Sequence, residues 1–320
     1  MVWIKRLFLT VLMLALGLLL FVYVAWEPDR QLGELLPRWG DTPSSFVELD
    51  GMQVHIRDTG PRDDPQPIVI MHMRAGSLHA FDHWQKTLSK SRRVVSLDLP
   101  GFGLTGPNKD GNYKLEAYTR FLLRFLDTLG IRRVVLAGHA LGGEVAWRTA
   151  VLAPDRVSRL ILIDADGYQL PPLSQPVAFQ IAQIRALRWI SERVLPRWIV
   201  SNSLHNLYGN PDLITTDMVD RVFELNLRVG NRKALFQFMD QQESGSHQHL
   251  IRRVTQPTLV LWGEQDRLVP AEFAYRFCQD IPDCTLVRFP ALGHKPHEEA
   301  PAASIQPVLR FLEKPLSNRR

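Results

Sequence analysis

Apolar residues along the chain fall into runs of two kinds. The first, Leu7 to Trp26 (LFLTVLMLALGLLLFVYVAW), contains no charge. About 20 such residues at 1.5 Å rise cover the roughly 30 Å hydrocarbon core of a bilayer, which predicts a signal-anchor helix over residues 1–26. Lys5 and Arg6 precede the run, and Glu27 and Asp29 follow it. The positive-inside rule therefore predicts a cytoplasmic N-terminus and an extracytoplasmic remainder. A cleaved signal peptide is the rival reading, but its apolar region should run about 7–15 residues before a small-x-small site. This run is longer, and Tyr23 is bulky where the cut would have to fall. A buried core helix rarely has so unbroken an apolar circumference. Both of the first two readings export the chain.

The second kind of run is short. After a Pro- and charge-rich stretch, 27–44, read as a tether, FVELDGMQVHIRDTG alternates on either side of Asp50-Gly51 and predicts a hairpin. Then come PIVIMH (67–72), RRVVSLDLP (92–100), RRVVLAGH (132–139), RLILIDA (159–165), PTLVLWG (257–263) and CTLVRFP (284–290). Such β-branched runs suit strands buried on both faces. The helical patterns Leu115–Leu129 and Leu141–Leu152 suit right-handed crossovers in a mostly parallel, doubly wound sheet. The alternation breaks between about Gly167 and Arg253. There, Val177, Ile181 and Ile184, then Val219, Val222 and Phe223, recur at helical spacing. The prediction is an α/β core over 45–166 and 254–320, with a helical cap over 167–253.

Composition narrows the partners. At 320 residues and 45% hydrophobic the chain is too apolar for disorder, and two cysteines are too few for a disulfide scaffold. The net charge of +5 comes from scattered pairs (Arg92-Arg93, Arg132-Arg133, Arg252-Arg253) among acids rather than one basic stripe, which argues against nucleic acid. Cys278 and Cys284 lie between a helical pattern and a strand. In an oxidising compartment they would close a small disulfide loop; the alternative is two unpaired small apolar side chains, and both stay open.

Candidate chemistry gathers after the strands. Gly138-His139-Ala140-Leu141-Gly142-Gly143 follows one strand and opens a helix. In that context Gly-x-Ser-x-Gly forms a nucleophile elbow, whose glycines allow a turn sharp enough to hold a hydroxyl above the sheet edge. The glycines are present and the hydroxyl is not, because position 140 is alanine. Asp266 follows the strand PTLVLWG, and His294 follows the last strand in ALGHKPHEEAP. The order elbow, acid, histidine, with Asp98-Leu-Pro-Gly-Phe-Gly upstream, resembles the capped α/β-hydrolase fold family over nearly all of 45–313.

The resemblance implies a serine-esterase-like hydrolase acting on an ester-like or, less readily, a carbon–carbon bond. His294 would be the base, Asp266 its orienting partner, and the N–H groups of Leu141 and Arg74 the oxyanion hole. His72 and His139 flank the pocket in such proteins. Met73 stands where the family has a glycine, so either the hole is altered, with Arg74 adding a cation suited to an anionic group, or Gly76 takes over the glycine's role. The cap's apolar residues favour an apolar acyl or aromatic small-molecule substrate. Ala140 leaves three explanations: an engineered knockout of the nucleophile, a natural pseudoenzyme that binds a ligand without catalysis, or direct activation of water by His294 and Asp266. Paired histidines (His79 and His83, His247 and His249, His294 and His297) lack the further ligands zinc requires, so no metal is expected. Gly101-Phe-Gly103 lacks the third glycine of a dinucleotide fingerprint, so no cofactor is expected.

Overall fold

The computed structural model describes residues 2–170 and 188–315. Helix α1, Val2–Val24, precedes α2, Leu32–Trp39. Eight strands follow: β1 Ser44–Leu49, β2 Met52–Thr59, β3 Ile68–Met71, β4 Val94–Leu97, β5 Val134–His139, β6 Val157–Ile163, β7 Thr258–Gly263 and β8 Cys284–Phe289. They form one sheet in the order β1-β2-β4-β3-β5-β6-β7-β8. β1 pairs with β2, and β2 with β4, antiparallel; all other pairs are parallel. The hairpin turns at Asp50-Gly51, both with positive φ, as the dipeptide requires.

The central strands read as unbroken apolar runs because both sheet faces are covered. Val69, Leu136, Leu162 and Val260 pack on one side against α4 (Leu115–Thr128), α5 (Leu141–Leu152) and the helix Glu272–Asp280. Ile70, Val135, Ile161 and Leu259 pack on the other against α3 (Asp82–Leu88) and the helix Pro301–Glu313. Neighbouring residues of a strand therefore belong to different apolar layers.

Between β6 and β7 the described residues form no strand. The helices Arg188–Ser191, Arg197–Leu207, Thr216–Asn226 and Asn231–Gln241 occupy this interval, with Val200, Leu204, Val219 and Phe223 sharing a small core of their own. Val177, Ile181 and Ile184 lie outside the described residues.

The stretch 27–44 is not a bare tether. Its apolar residues, Leu32, Leu35, Leu36 and Trp39, recur every three or four positions, and α2 buries Leu35 and Trp39 against Leu104 and Leu225. Arg38 then bonds to Asp217 and Glu224, each at 2.9 Å. Proline and charge content masked a short amphipathic helix. Helix α1 is long and apolar enough, from Trp3 to Val24, to cross a membrane. Cys278 and Cys284 are joined as a disulfide, Cα to Cα 5.1 Å, between the helix Glu272–Asp280 and β8.

Candidate active site

The carboxyl ends of β3, β5, β6 and β7 converge on one edge of the sheet, where open α/β sheets place their sites. β5 runs into α5 through Ala140, whose backbone sits at φ 47, ψ −112. An L-residue there carries strain of roughly 1–3 kcal/mol. The glycines explain how the turn is possible. A Cβ on Gly138 would lie 2.1 Å from the Gly142 carbonyl oxygen, and one on Gly142 would lie 2.4 Å from that of Met71. A Cβ on Gly143 would come within 2.6 Å of Ala165 Cβ. Ala140 is fully buried, and Leu141 begins α5, so its N–H has no intrahelical acceptor.

At the end of β7, Asp266 accepts on Oδ1 from the N–H groups of Leu268 (2.7 Å) and Val269 (3.0 Å). Its Oδ2 accepts from His294 Nδ1 at 2.7 Å, with both side chains sealed from solvent. That bond puts the His294 proton on Nδ1 and leaves Nε2 as the basic nitrogen. Among the described residues Nε2 has no hydrogen-bond partner. His139 braces the loop by donating from Nε2 to the His294 carbonyl oxygen at 2.7 Å, the two rings being 4.6 Å apart. Burial, and then the nearby His297, hold His139 well below the usual imidazole range, so it is neutral.

After β3, His72 accepts from the Leu99 N–H at 2.9 Å and donates from Nδ1 to the Met73 carbonyl at 2.6 Å. Both its nitrogens are committed, and burial depresses its pKa despite Asp98. Asp98 itself accepts from His55, Leu78 and Leu104 at 2.7–2.8 Å. Burial alone would raise its pKa, but His55 holds it well below the carboxylate range. The loop then turns tightly: Ala75 has φ 54, and the Gly76 N–H donates to the Met73 carbonyl at 3.1 Å. A Cβ on Gly76 would lie 2.9 Å from that oxygen, so glycine is demanded at 76 even though 73 is methionine.

The Arg74 guanidinium is not left free for an anion. It donates to Asp166 Oδ2 at 3.2 Å, with the two side chains 17% and 14% exposed. Asp166 follows β6, and its N–H donates to the Ala140 carbonyl at 3.1 Å. Because β5 lies between β3 and β6, this ion pair bridges the two strands that flank the elbow strand.

The sequence reading did not single out three acids here. Asp164, at φ 41 past the end of β6, accepts from the Gly263 N–H at 2.9 Å. Burial, then the charge of Asp266, pushes its carboxyl well up. Glu144, in the first turn of α5, is raised to about 8 by burial and Asp166. Asp166 is the third. For Asp164 and Asp166 the available signal was position, at the carboxyl end of the strand next to the elbow strand.

Asp164, Asp266 and His294 offer polar atoms all within 4.8 Å of one another. A cation there would have to displace the proton between His294 and Asp266, so the arrangement suits holding a proton better than a metal. Two further buried histidines face other groups. His79 Nε2 lies 2.8 Å from the Trp39 carbonyl, and His297 stacks on Phe81 at 4.3 Å. Neither Ser77, in extended backbone before the short helix Leu78–Phe81, nor Ser246 has the positive φ of an elbow; their hydroxyls lie 3.1 Å from His79 and 2.9 Å from His247.

A family model of the α/β-hydrolase fold matches residues 66–301. The chain belongs to the α/β-hydrolase fold family. An uncharacterized hydrolase of Bacillus subtilis, YugF, is 25% identical over 275 residues, covering 85% of this chain and 98% of its own. The 2-hydroxy-6-oxo-2,4-heptadienoate hydrolase of Pseudomonas putida is 26% identical, over 83% of this chain and 95% of its own. Among solved structures, a meta-cleavage product hydrolase of Pseudomonas fluorescens, as a serine-to-alanine variant with acetates bound, superposes with TM-score 0.72 at 22% identity. That match covers 84% of this α/β-hydrolase and 97% of the other chain. A bacterial membrane phospholipase A superposes with TM-score 0.73 at 21% identity, over 98% of both chains. These structural likenesses are of fold.

Proposed function

We propose that this chain is a membrane-anchored α/β-hydrolase whose site keeps the acid–histidine pair and the elbow but lacks the nucleophile. The observation that carries the reading is the Asp266–His294 bond at 2.7 Å, which leaves a buried, unpartnered Nε2 beside the elbow. With a hydroxyl at 140, His294 Nε2 would take its proton as the oxygen attacks an acyl carbon, then return it to the leaving group. Asp266 would stabilise the imidazolium, and the N–H groups of Leu141 and Arg74, with the dipole of α5, would receive the oxyanion. With Ala140 only water can be activated, and loss of a nucleophilic serine typically lowers kcat by roughly 10⁶.

The substrate in this reading is a small ester-like molecule with an apolar acyl or aromatic part. Carbon–carbon cleavage ranks second. The core spans 45–166 and 254–320 and the cap 167–253. Helix α1 is the anchor, with the rest of the chain extracytoplasmic by the charge asymmetry around it. The likeness to the membrane phospholipase A supports an anchor, because 98% coverage leaves out only about 2% of this chain and so takes in most of α1.

The test is Ala140→Ser in the full chain. We expect a fluorophosphonate to label position 140 only after the substitution, and short-chain p-nitrophenyl ester hydrolysis to appear with it. A variant that is folded by circular dichroism yet unlabelled and silent overturns the hydrolase reading in favour of a ligand-binding pseudoenzyme.

A further inference from the structure

Among the described residues beyond α1, seven large apolar side chains are left most exposed, and five of them lie just past α1 or in the helical interval between β6 and β7: Trp26, Trp189, Trp198, Leu213 and Val229. The helical segment that carries most of them is tied to the chain just past α1. Trp26 forms a β-bridge with Val194, and the Glu27 N–H donates to the Arg193 carbonyl at 3.0 Å. The Arg30 N–H donates to the Leu227 carbonyl at 2.7 Å, and the Val229 N–H to that of Arg30 at 2.9 Å. α1 ends at Val24, only two residues before the bridge. Two residues of extended chain reach at most about 7 Å, so if α1 spans a bilayer, Arg193 and Val194 lie at its headgroup level.

The side chains there suit that depth. Trp26 and Trp189 are 46% and 53% exposed, and the Arg193 guanidinium lies 5.9 Å from the Trp26 ring. Arg193 is exposed, donates to the Trp189 carbonyl at 3.1 Å, and among the described residues has no carboxylate within ion-pair distance. Trp198 is 59% exposed, whereas Val200 and Leu204 of the same helix are buried. At about 100° per residue these lie on roughly the opposite face, so Trp198 points away from the small helical core. Tryptophan, apolar with one polar N–H, concentrates at membrane–water interfaces, and an unpaired arginine there meets lipid phosphate.

We infer that the surface formed by Trp26, Trp189, Arg193 and Trp198 docks into the phospholipid headgroup layer of the bilayer that α1 spans, with Arg193 against lipid phosphate. This rests on the anchor reading of α1.

The full chain, reconstituted into vesicles of phosphatidylcholine and phosphatidylglycerol, tests it. Spin labels are placed singly through Trp189→Cys, Trp198→Cys and Leu152→Cys, the native cysteines being joined as a disulfide. Leu152 is 56% exposed but ends α5 at the far edge of the sheet. Collisions with oxygen should exceed those with a water-soluble nickel chelate several-fold at 189 and 198, and the order should reverse at 152. Nickel in excess at 189 and 198, in protein that resists alkaline carbonate, overturns the docking and leaves the anchor standing. Protein that carbonate strips from the vesicles overturns both. Low collision with both reagents, together with dimers on cross-linking, replaces lipid by a second copy of the chain.

Discussion

The two halves of the site differ in what they have kept. On the β7–β8 side the pair that the proposed reading needs is in place: Asp266 takes two backbone N–H groups and the His294 proton, and His294 Nε2 has no partner among the described residues. On the β5 side the turn is formed, and position 140 carries no hydroxyl. Ala140 holds φ 47 in a turn where three glycines leave no room for a Cβ, yet it has no hydroxyl to present. The contrast teaches that the turn's geometry does not require a hydroxyl at 140. It is set by how closely α5 crosses β5 and β3, and alanine holds it at an energetic cost.

The largest effect expected to break the contrast is Ala140→Ser, which should raise ester turnover by roughly 10⁶ in a stopped or continuous p-nitrophenyl assay. Adding Asp266→Asn to that variant should cost about 10⁴ in kcat with little change in KM, because the imidazole loses its tautomer and its counter-charge. Equal losses in a ligand-binding assay would mean that Asp266 serves the fold instead. Gly142→Ala should cost about 3 kcal/mol or more by urea denaturation, since its Cβ meets the Met71 carbonyl. That cost should be the same with or without Ala140→Ser, if the elbow is a backbone feature.

Two smaller effects sharpen the comparison. Reducing the Cys278–Cys284 bond, on the β7–β8 side, should lower stability by about 2 kcal/mol by the loop-entropy estimate, with the Asp266–His294 pair kept. Glu144, on the elbow side, holds its proton to about pH 8 in the folded chain against an ordinary value of 4.5. The folded state then binds more protons than the unfolded one between these values, so Glu144 makes stability fall as pH rises from about 4.5 to about 8 and stay level above. Glu144→Gln should remove that slope: its thermal midpoint should match the parent's at about pH 4 and exceed it at about pH 8.

Much of this was legible along the chain because it is local. Each central strand is an apolar run bounded by turns, and α5 occupies Leu141–Leu152 because the apolar pattern changes period at the elbow. Gly138, Gly142 and the missing hydroxyl at 140 are adjacent in sequence, so the nucleophile question arises before any fold is known. The helix Leu32–Trp39 was obscured for an equally local reason: eight residues with a proline and two charges give too short a period to weigh against composition.

What only the tertiary structure decided concerns partners far apart in sequence. Arg74 meets Asp166 across 92 positions, and its cation is thereby committed to a carboxylate. Asp164 accepts from Gly263 across 99 positions and is thereby set against Asp266. Residues 26–30 pair with 193–194 and 227–229 across still longer intervals. Apolar period, turn chemistry and glycine placement act over a few residues, and sequence alone determined them. Whether a buried charge is neutralised, protonated or left bare depends on which strand ends the fold makes neighbours. That neighbourhood follows from the strand order β3-β5-β6-β7, which no local pattern encodes.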